Sequence, residues 1–165
     1  LADGTVLRDA FSEKEWPFMV CSFKSNLMSS ISIGAKRLRQ VHPSNPIVLN
    51  RADASDLGIS NGDTVTIETP GGQLNGVALL RDGIVPGTVA IEFGYGHWEL
   101  GAREHMVDGV PTPVDPGAGA GVNMNLLGFT DPTRPDAPNV WIDWVSGAVV
   151  RQGVPARIRR STRQA

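Results

Sequence analysis

One cysteine, Cys21, stands in 165 residues. A lone thiol excludes an internal disulfide, a Cys-x-x-Cys redox pair and an all-cysteine metal site. There is no apolar run of about 18 residues, so no segment can cross a membrane as a helix. Neither sign of charge dominates: 15 Lys and Arg face 17 Asp and Glu, a net charge of -2. Without a basic excess, nonspecific nucleic-acid binding is disfavoured. His-Glu-x-x-His, Gly-x-Ser-x-Gly and the two common glycine-rich phosphate signatures are also missing. What the chain has in excess is punctuation. Its 19 Gly and 12 Pro make up close to a fifth of the residues, against about 12% in average proteins. This composition suits a loop-rich β protein and argues against a helical bundle. Hydrophobic residues at 41% are enough for the core of one domain.

Residues 1–16 are mixed and weakly patterned, and Leu1 opens the chain where a Met would start a gene product. We expect them to be a lead-in from an upstream region. Residues 18–23 form a short apolar run consistent with a buried strand. Beyond it, Leu27, Met28, Ile31 and Ile33 suit a short helix or a packed loop, and Lys36, Arg37 and Arg39 form a small basic cluster. Residues 47–49 read as a strand, and residues 50–58 as a short helix. Asn50 is its N-cap, Asp53 stands three residues on as in a capping box, and Gly58 is the C′ stop. Residues 63–69 alternate with period two and turn at Pro70-Gly71-Gly72 into a return strand carrying Leu74, Val77 and Leu79. Residues 88–93 place Val89, Ile91 and Phe93 on one face. Pattern is then lost from Gly94 to about Asn139, a length that is usually functional or disordered in a compact domain. Residues 140–145 alternate again through Val140, Ile142 and Trp144, and residues 147–160 hold one more strand before a short tail at 161–165. Six or seven short strands with little helix predict a small β-barrel.

Candidate chemistry concentrates in three places. Ser22, Lys24, Ser25 and Asn26 follow the first buried strand. An ammonium, hydroxyls and an amide at a strand end can hold a diphosphate, though the same residues also make an ordinary polar turn. Asn50 and Asp53 are either capping residues or ligand contacts, since a carboxylate can accept two N–H bonds from a guanine edge. Asn123 and Asn125 lie in an apolar stretch, where buried amides need partners, either backbone carbonyls or a polar heterocycle. His97, Glu104 and His105 lack metal-ligand spacing and read as polar loop residues. Cys21, inside an apolar run, reads as a core thiol.

The run from Asn50 to Val65 (NRADASDLGISNGDTV) resembles the Asn-x-x-Asp-Ala-x-x-Leu-Gly-Ile-x-x-Gly-Asp-x-Val stretch of the molybdopterin dinucleotide-binding domain. That is the C-terminal domain of the dimethyl-sulfoxide-reductase family of molybdenum enzymes. Lys24-Ser25-Asn26, Val122-Asn123-Met124-Asn125-Leu126 and Asp131-Pro132-Thr133 are similar to further signals of the family, so the resemblance covers residues 17–160. Within the family, FKSNLMS (23–29), GYGHWELGAR (94–103) and WIDWVSGA (141–148) are similar to catalytic subunits of tetrathionate reductases. The family's Asn-Leu-Thr element departs here, because Leu126-Leu127-Gly128 follow Asn125.

The resemblance implies a six-stranded double-psi β-barrel over residues 17–160 with short helices and long loops. It implies a share in holding bis(molybdopterin guanine dinucleotide), whose molybdenum does the redox chemistry. Lys24 and the hydroxyls of Ser22, Ser25 and Ser29 would meet diphosphates, and Asn26, Asn50, Asp53, Asn123 and Asn125 would complete the cofactor contacts. The metal ligand and Fe–S cysteines would lie in upstream domains, so this chain by itself would not be catalytic. Expected partners are those upstream domains, an Fe–S electron-transfer subunit and a membrane-anchor subunit, in a complex of anaerobic respiration facing the periplasm. The competing expectation, from a different class, is a stand-alone barrel that binds no cofactor and serves as an interaction module. A polysulfide or thiosulfate reductase is a further home for the same domain.

Overall fold

The computed structural model describes residues 1–29, 32, 34–99, 101–128, 130–134, 142–143 and 145–161. Six strands close into a barrel: β1 (Phe18–Phe23), β2 (Ile47–Asn50), β3 (Thr64–Thr69), β4 (Gly72–Arg81), β5 (Thr88–Glu92) and β8 (Gln152–Arg160). Round the barrel they run β1-β5-β2-β4-β3-β8 and back to β1. β1 lies parallel to β5 and β2 parallel to β4, while every other pairing is antiparallel. Between β5 and β8 the long middle segment carries only a two-stranded hairpin, β6 (Met106–Val107) with β7 (Val110–Pro111), and two single 3-10 turns among the described residues. The helices are short: α1 (Leu7–Ala10), α2 (Lys36–Val41) and α3 (Arg51–Asp56).

Alternation explains the barrel interior. Val65 and Ile67, Val89 and Ile91, and Val154, Ala156 and Ile158 all point inward and are buried, joined by Ile47 and Leu49 from β2. On β4 the inward side is Leu74, Gly76, Ala78 and Leu80, so Val77 faces out at 49% exposure. Side chains of a strand alternate between faces, so the apolar identity of Val77 carries no inward direction.

The sixth barrel strand is β8. It is not the segment 140–145, of which Val140, Trp141 and Trp144 lie outside the described residues. Ile142 pairs with Val149 in a single isolated bridge, and Val145 and Ser146 turn. Alternating apolar residues make a strand only where a neighbour offers its ladder, and β8 occupies both β1 and β3. Residues 1–16 lie against the barrel. Leu1, Leu7 and Phe11 pack on its core, Trp16 is buried, and Ala2 N–H donates to Asp131 Oδ2 (2.7 Å). Ile31 and Ile33 fall outside the described residues.

Strand directions sort the loops into two ends. Phe23 is in register with Glu92, Ile47 with Ile91, Thr69 with Gly72 and Cys21 with Gln152. One end, here called the rim, therefore gathers the chain after β1, before β2, after β5 and before β8. The other end holds α3, the turn before β5 and the C-terminal end of β8.

Candidate functional site

At the rim, Ser25 folds the loop after β1. Its Oγ accepts from Leu27 N–H (3.2 Å) and Met28 N–H (3.1 Å), which leaves the hydroxyl proton free to donate outward. Lys24 and Asn26 stand on either side of it, both exposed. Lys24 Nζ sits 5.1 Å above the Phe93 ring, with no carboxylate partner among the described residues. Ser29 shares a hydrogen bond with Ser32 (3.0 Å). Ser22 is a wall residue: Gln152 reaches its N–H, its carbonyl and its Oγ at 2.7–3.1 Å, mending the register shift between Val20 and Cys21.

Asn123 and Asn125 cross the same end. The 3-10 turn Met124–Leu127 is capped by Asn123 Oδ1, which accepts from Asn125 N–H (3.0 Å), and it packs on β3 and β4. Thr69 Oγ1 donates to Leu127 O (3.3 Å) and fixes the turn over the barrel mouth. Beneath it lies a cavity of about 270 Å³ lined by Val20, Val154, Met124, Asn125, Val149 and Arg151. An apolar floor with one amide and one guanidinium at its edge suits a single flat heterocycle.

Asn50 and Asp53 stand at the opposite end of the barrel, the length of a six-residue strand away, about 17 Å. Both are employed there by the protein itself. Asn50 caps α3, accepting from Ala52 N–H (2.8 Å), and donates to Ile84 O (2.6 Å). Asp53 does not close a capping box. Its Oδ2 accepts from Gly87 N–H (2.7 Å) and ties the helix to the turn before β5. Seven of the nine candidates, Ser22, Lys24, Ser25, Asn26, Ser29, Asn123 and Asn125, thus lie towards one end of the barrel, and Asn50 and Asp53 lie at the other.

Three further rim residues stand outside the candidates read from the sequence. Glu92 ends β5 at 2% exposure, Asn45 is equally buried, and His42 is half-buried beside them. Glu92 Oε1 accepts from Ser25 N–H (3.3 Å), and Oε2 is bonded to His42 Nε2 (2.6 Å). Tyr95 donates its hydroxyl to His42 O (3.0 Å), and burial, with Glu92 nearby, pushes its phenol up to about 12. A carboxylate closing an apolar strand was the signal that could have marked this cluster. The basic residues Lys36, Arg37 and Arg39 form α2, where Arg39 is buried and pairs with Asp115 at 2.6 Å. His97 Nε2 meets Gly94 O (3.1 Å), and His105 bonds Thr112 on the hairpin (2.8 Å). No three His, Cys, Asp or Glu gather among the described residues. Cys21 is half-buried in β1.

One barrel end thus carries an ammonium with no carboxylate partner among the described residues, amides, hydroxyls and one guanidinium, around a small apolar cavity. The chain belongs to the Molydopterin dinucleotide binding domain family, whose model matches residues 25–138. It is 51% identical over 160 residues to a tetrathionate reductase subunit of Salmonella typhimurium, covering 97% of this chain and 16% of that protein. To the corresponding tetrathionate reductase polypeptide of Archaeoglobus fulgidus it is 42% identical over 96 residues, 58% of this chain and 8% of that one. The chain thus spans about a sixth or less of these relatives. In fold it is similar to acetylene hydratase from Pelobacter acetylenicus, with a TM-score of 0.68 and 20% identity, over 95% of this chain and 20% of that one.

Proposed function

We propose that this chain is the cofactor-binding C-terminal domain of a tetrathionate reductase-like molybdenum oxidoreductase, helping to hold bis(molybdopterin guanine dinucleotide). The observation that carries the reading is 51% identity to a tetrathionate reductase polypeptide across nearly the whole chain. The rim fits the group: Lys24 and the Ser25 hydroxyl proton offer charge and direction to a diphosphate, and Asn26 and Asn125 offer side-chain amides. The cavity under Asn125 and Arg151 suits a heterocycle. When bound, the molybdenum centre supplies two-electron redox chemistry. This chain's residues bind, orient and cover it. Asn50 and Asp53, also expected among the cofactor contacts, stand at the far end of the barrel, where each bonds the protein's own backbone.

In this reading the barrel is of the double-psi type, its two parallel pairs, β1 with β5 and β2 with β4, being the crossovers. Fe–S cysteines and the metal ligand belong to other parts of the parent polypeptide. The partners are those domains, an Fe–S electron-transfer subunit and a membrane anchor, on the periplasmic side. The test uses the full-length parent protein. Molybdenum and guanine nucleotide are measured per protein in wild type and in Lys24→Ala and Asn125→Ala, together with reduction of tetrathionate by a reduced dye. Stoichiometric guanine nucleotide in wild type and less in both variants is expected. Undiminished content in both variants rejects the rim as the site, and activity on another oxyanion with none on tetrathionate rejects the substrate.

A further inference from the structure

The cofactor reading leaves one buried cluster unused. Glu92 is a carboxylate at 2% exposure at the end of an apolar strand. Such a placement is tolerated only when each oxygen has a partner. Both partners lie outside the barrel wall: the Ser25 N–H at 3.3 Å and His42 Nε2 at 2.6 Å. The main-chain carbonyl of the same residue accepts from Asn45 Nδ2 at 2.6 Å. Asn45, also 2% exposed, turns its remaining capacity on one residue of another segment, donating to Val122 O (3.0 Å) and accepting from Val122 N–H (2.7 Å). Gly121 has φ +82°, and a Cβ there would lie 2.3 Å from Asn45 Oδ1. Only glycine permits this approach.

Three contacts therefore leave Glu92. One holds Ser25, next to Lys24, one holds His42, and the third runs through Asn45 to Val122, next to Asn123. They link segments distant in sequence: Ser25 follows β1 and Asn45 precedes β2, both neighbours of β5, while Val122 belongs to the segment that leads into the Asn123–Asn125 turn. An apolar pair of similar volume would fill the space without fixing either loop.

We propose that Glu92 and Asn45 are positioning residues that hold the Lys24 loop and the Asn123–Asn125 turn in one fixed relation, so that the rim meets its cofactor preformed. The inference rests on the rim as the cofactor site. A site whose parts are already in place loses less freedom on binding, which raises affinity without adding a contact.

The experiment uses the full-length parent protein purified without cofactor, and reads amide hydrogen exchange peptide by peptide in wild type, Glu92→Gln, Asn45→Ala and Gly121→Ala. Cofactor content is measured on the same proteins isolated with cofactor, with Lys24→Ala alongside. Glu92→Gln should speed exchange at residues 24–29, and Asn45→Ala and Gly121→Ala at residues 121–126, each by about tenfold or more. Cofactor content should fall in all three while β3, β4 and β8 stay protected. Unchanged loop exchange overturns the proposal, as does loss of protection in loops and strands together, the mark of a merely structural role. If Lys24→Ala keeps full cofactor while the Glu92, Asn45 and Gly121 variants still loosen the loops, the rim is not the cofactor site, and Glu92 and Asn45 still fix the two loops.

Discussion

Lys24 and Asp53 sit at opposite ends of the barrel and give opposite predictions. Lys24→Ala in the full-length parent protein should lower molybdenum per protein and leave the melting temperature unchanged, because the exposed ammonium supports no described contact of the fold beyond the Phe93 ring. One lost charge-assisted hydrogen bond to a phosphate costs roughly 1.5–3 kcal/mol of cofactor binding. Asp53→Ala should do the reverse. It frees the Gly87 N–H and costs about 1 kcal/mol of stability, seen in thermal unfolding, with guanine nucleotide content at the wild-type level. Asp53→Asn keeps an acceptor and should cost only a few tenths of that. Tyr95 is the single tyrosine of the chain, so its tyrosinate absorbance reads one group. Its folded value near 12 exceeds the ordinary 10. The stabilisation is therefore complete below pH 10 and lost as pH rises through 12. Titration at the ordinary value in the folded chain would refute the buried hydroxyl. Lys24 was legible because it directly follows an apolar run. The buried Glu92–His42 contact was not, since it depends on which strand ends meet, and 50 residues separate the two.

Among the elements, α3 was legible almost residue by residue because its signals are local. Asn50 caps it, and Gly58 at φ +64° ends it with paired bonds, Ile59 N–H to Ala54 O and Gly58 N–H to Ser55 O. Gly58→Ala should lower stability by roughly 1 kcal/mol, measured by denaturant unfolding, since the left-handed conformation penalises a Cβ. The expected capping box gives way to a tertiary contact, in which Asp53 accepts from Gly87 N–H before the neighbouring strand β5. Strand β8 closes against β3 through Glu68 and Arg157, bonded at 3.0 and 2.6 Å. The Arg157 hydrogen bond holds the Glu68 carboxyl below its ordinary range. A lowered folded value means stabilisation that is present at neutral pH and fades as pH falls through the carboxylate range. Glu68→Gln should remove that acid dependence and cost a small, salt-sensitive drop in melting temperature, because the pair is largely solvated. Residues 140–145 show the converse: they alternate as well as β3 does, yet the barrel closes through β8, and Ile142 makes only an isolated bridge to Val149 among the described residues.

For the whole molecule, the barrel class could be read from alternation and turn residues, whereas the strand order could not, because each barrel pairing except β3 with β4 joins strands distant in sequence. Among the described residues, β8 alone bridges β1 and β3. A chain ended at Arg151 would expose two unpaired edges and a split core, so it should give no cooperative unfolding transition and should self-associate on sizing columns. The same topology governs time as well as stability. The β3–β4 hairpin, turning at Pro70-Gly71, can form within its own neighbourhood, but β1 must wait for β5 and for a last strand 130 residues downstream of Ser22. Loop closure on that scale is the slow part of folding. During synthesis the first strand therefore leaves the ribosome with no partner yet made, and the rim, which depends on β1 and β5 ending side by side, is among the last features to exist. Refolding followed by pulse-labelled exchange should protect β3 and β4 first and residues 24–29 last; simultaneous protection would contradict that order. A ligand seated on such a rim arrives after closure, so it can lock a finished barrel against reopening but cannot template its assembly.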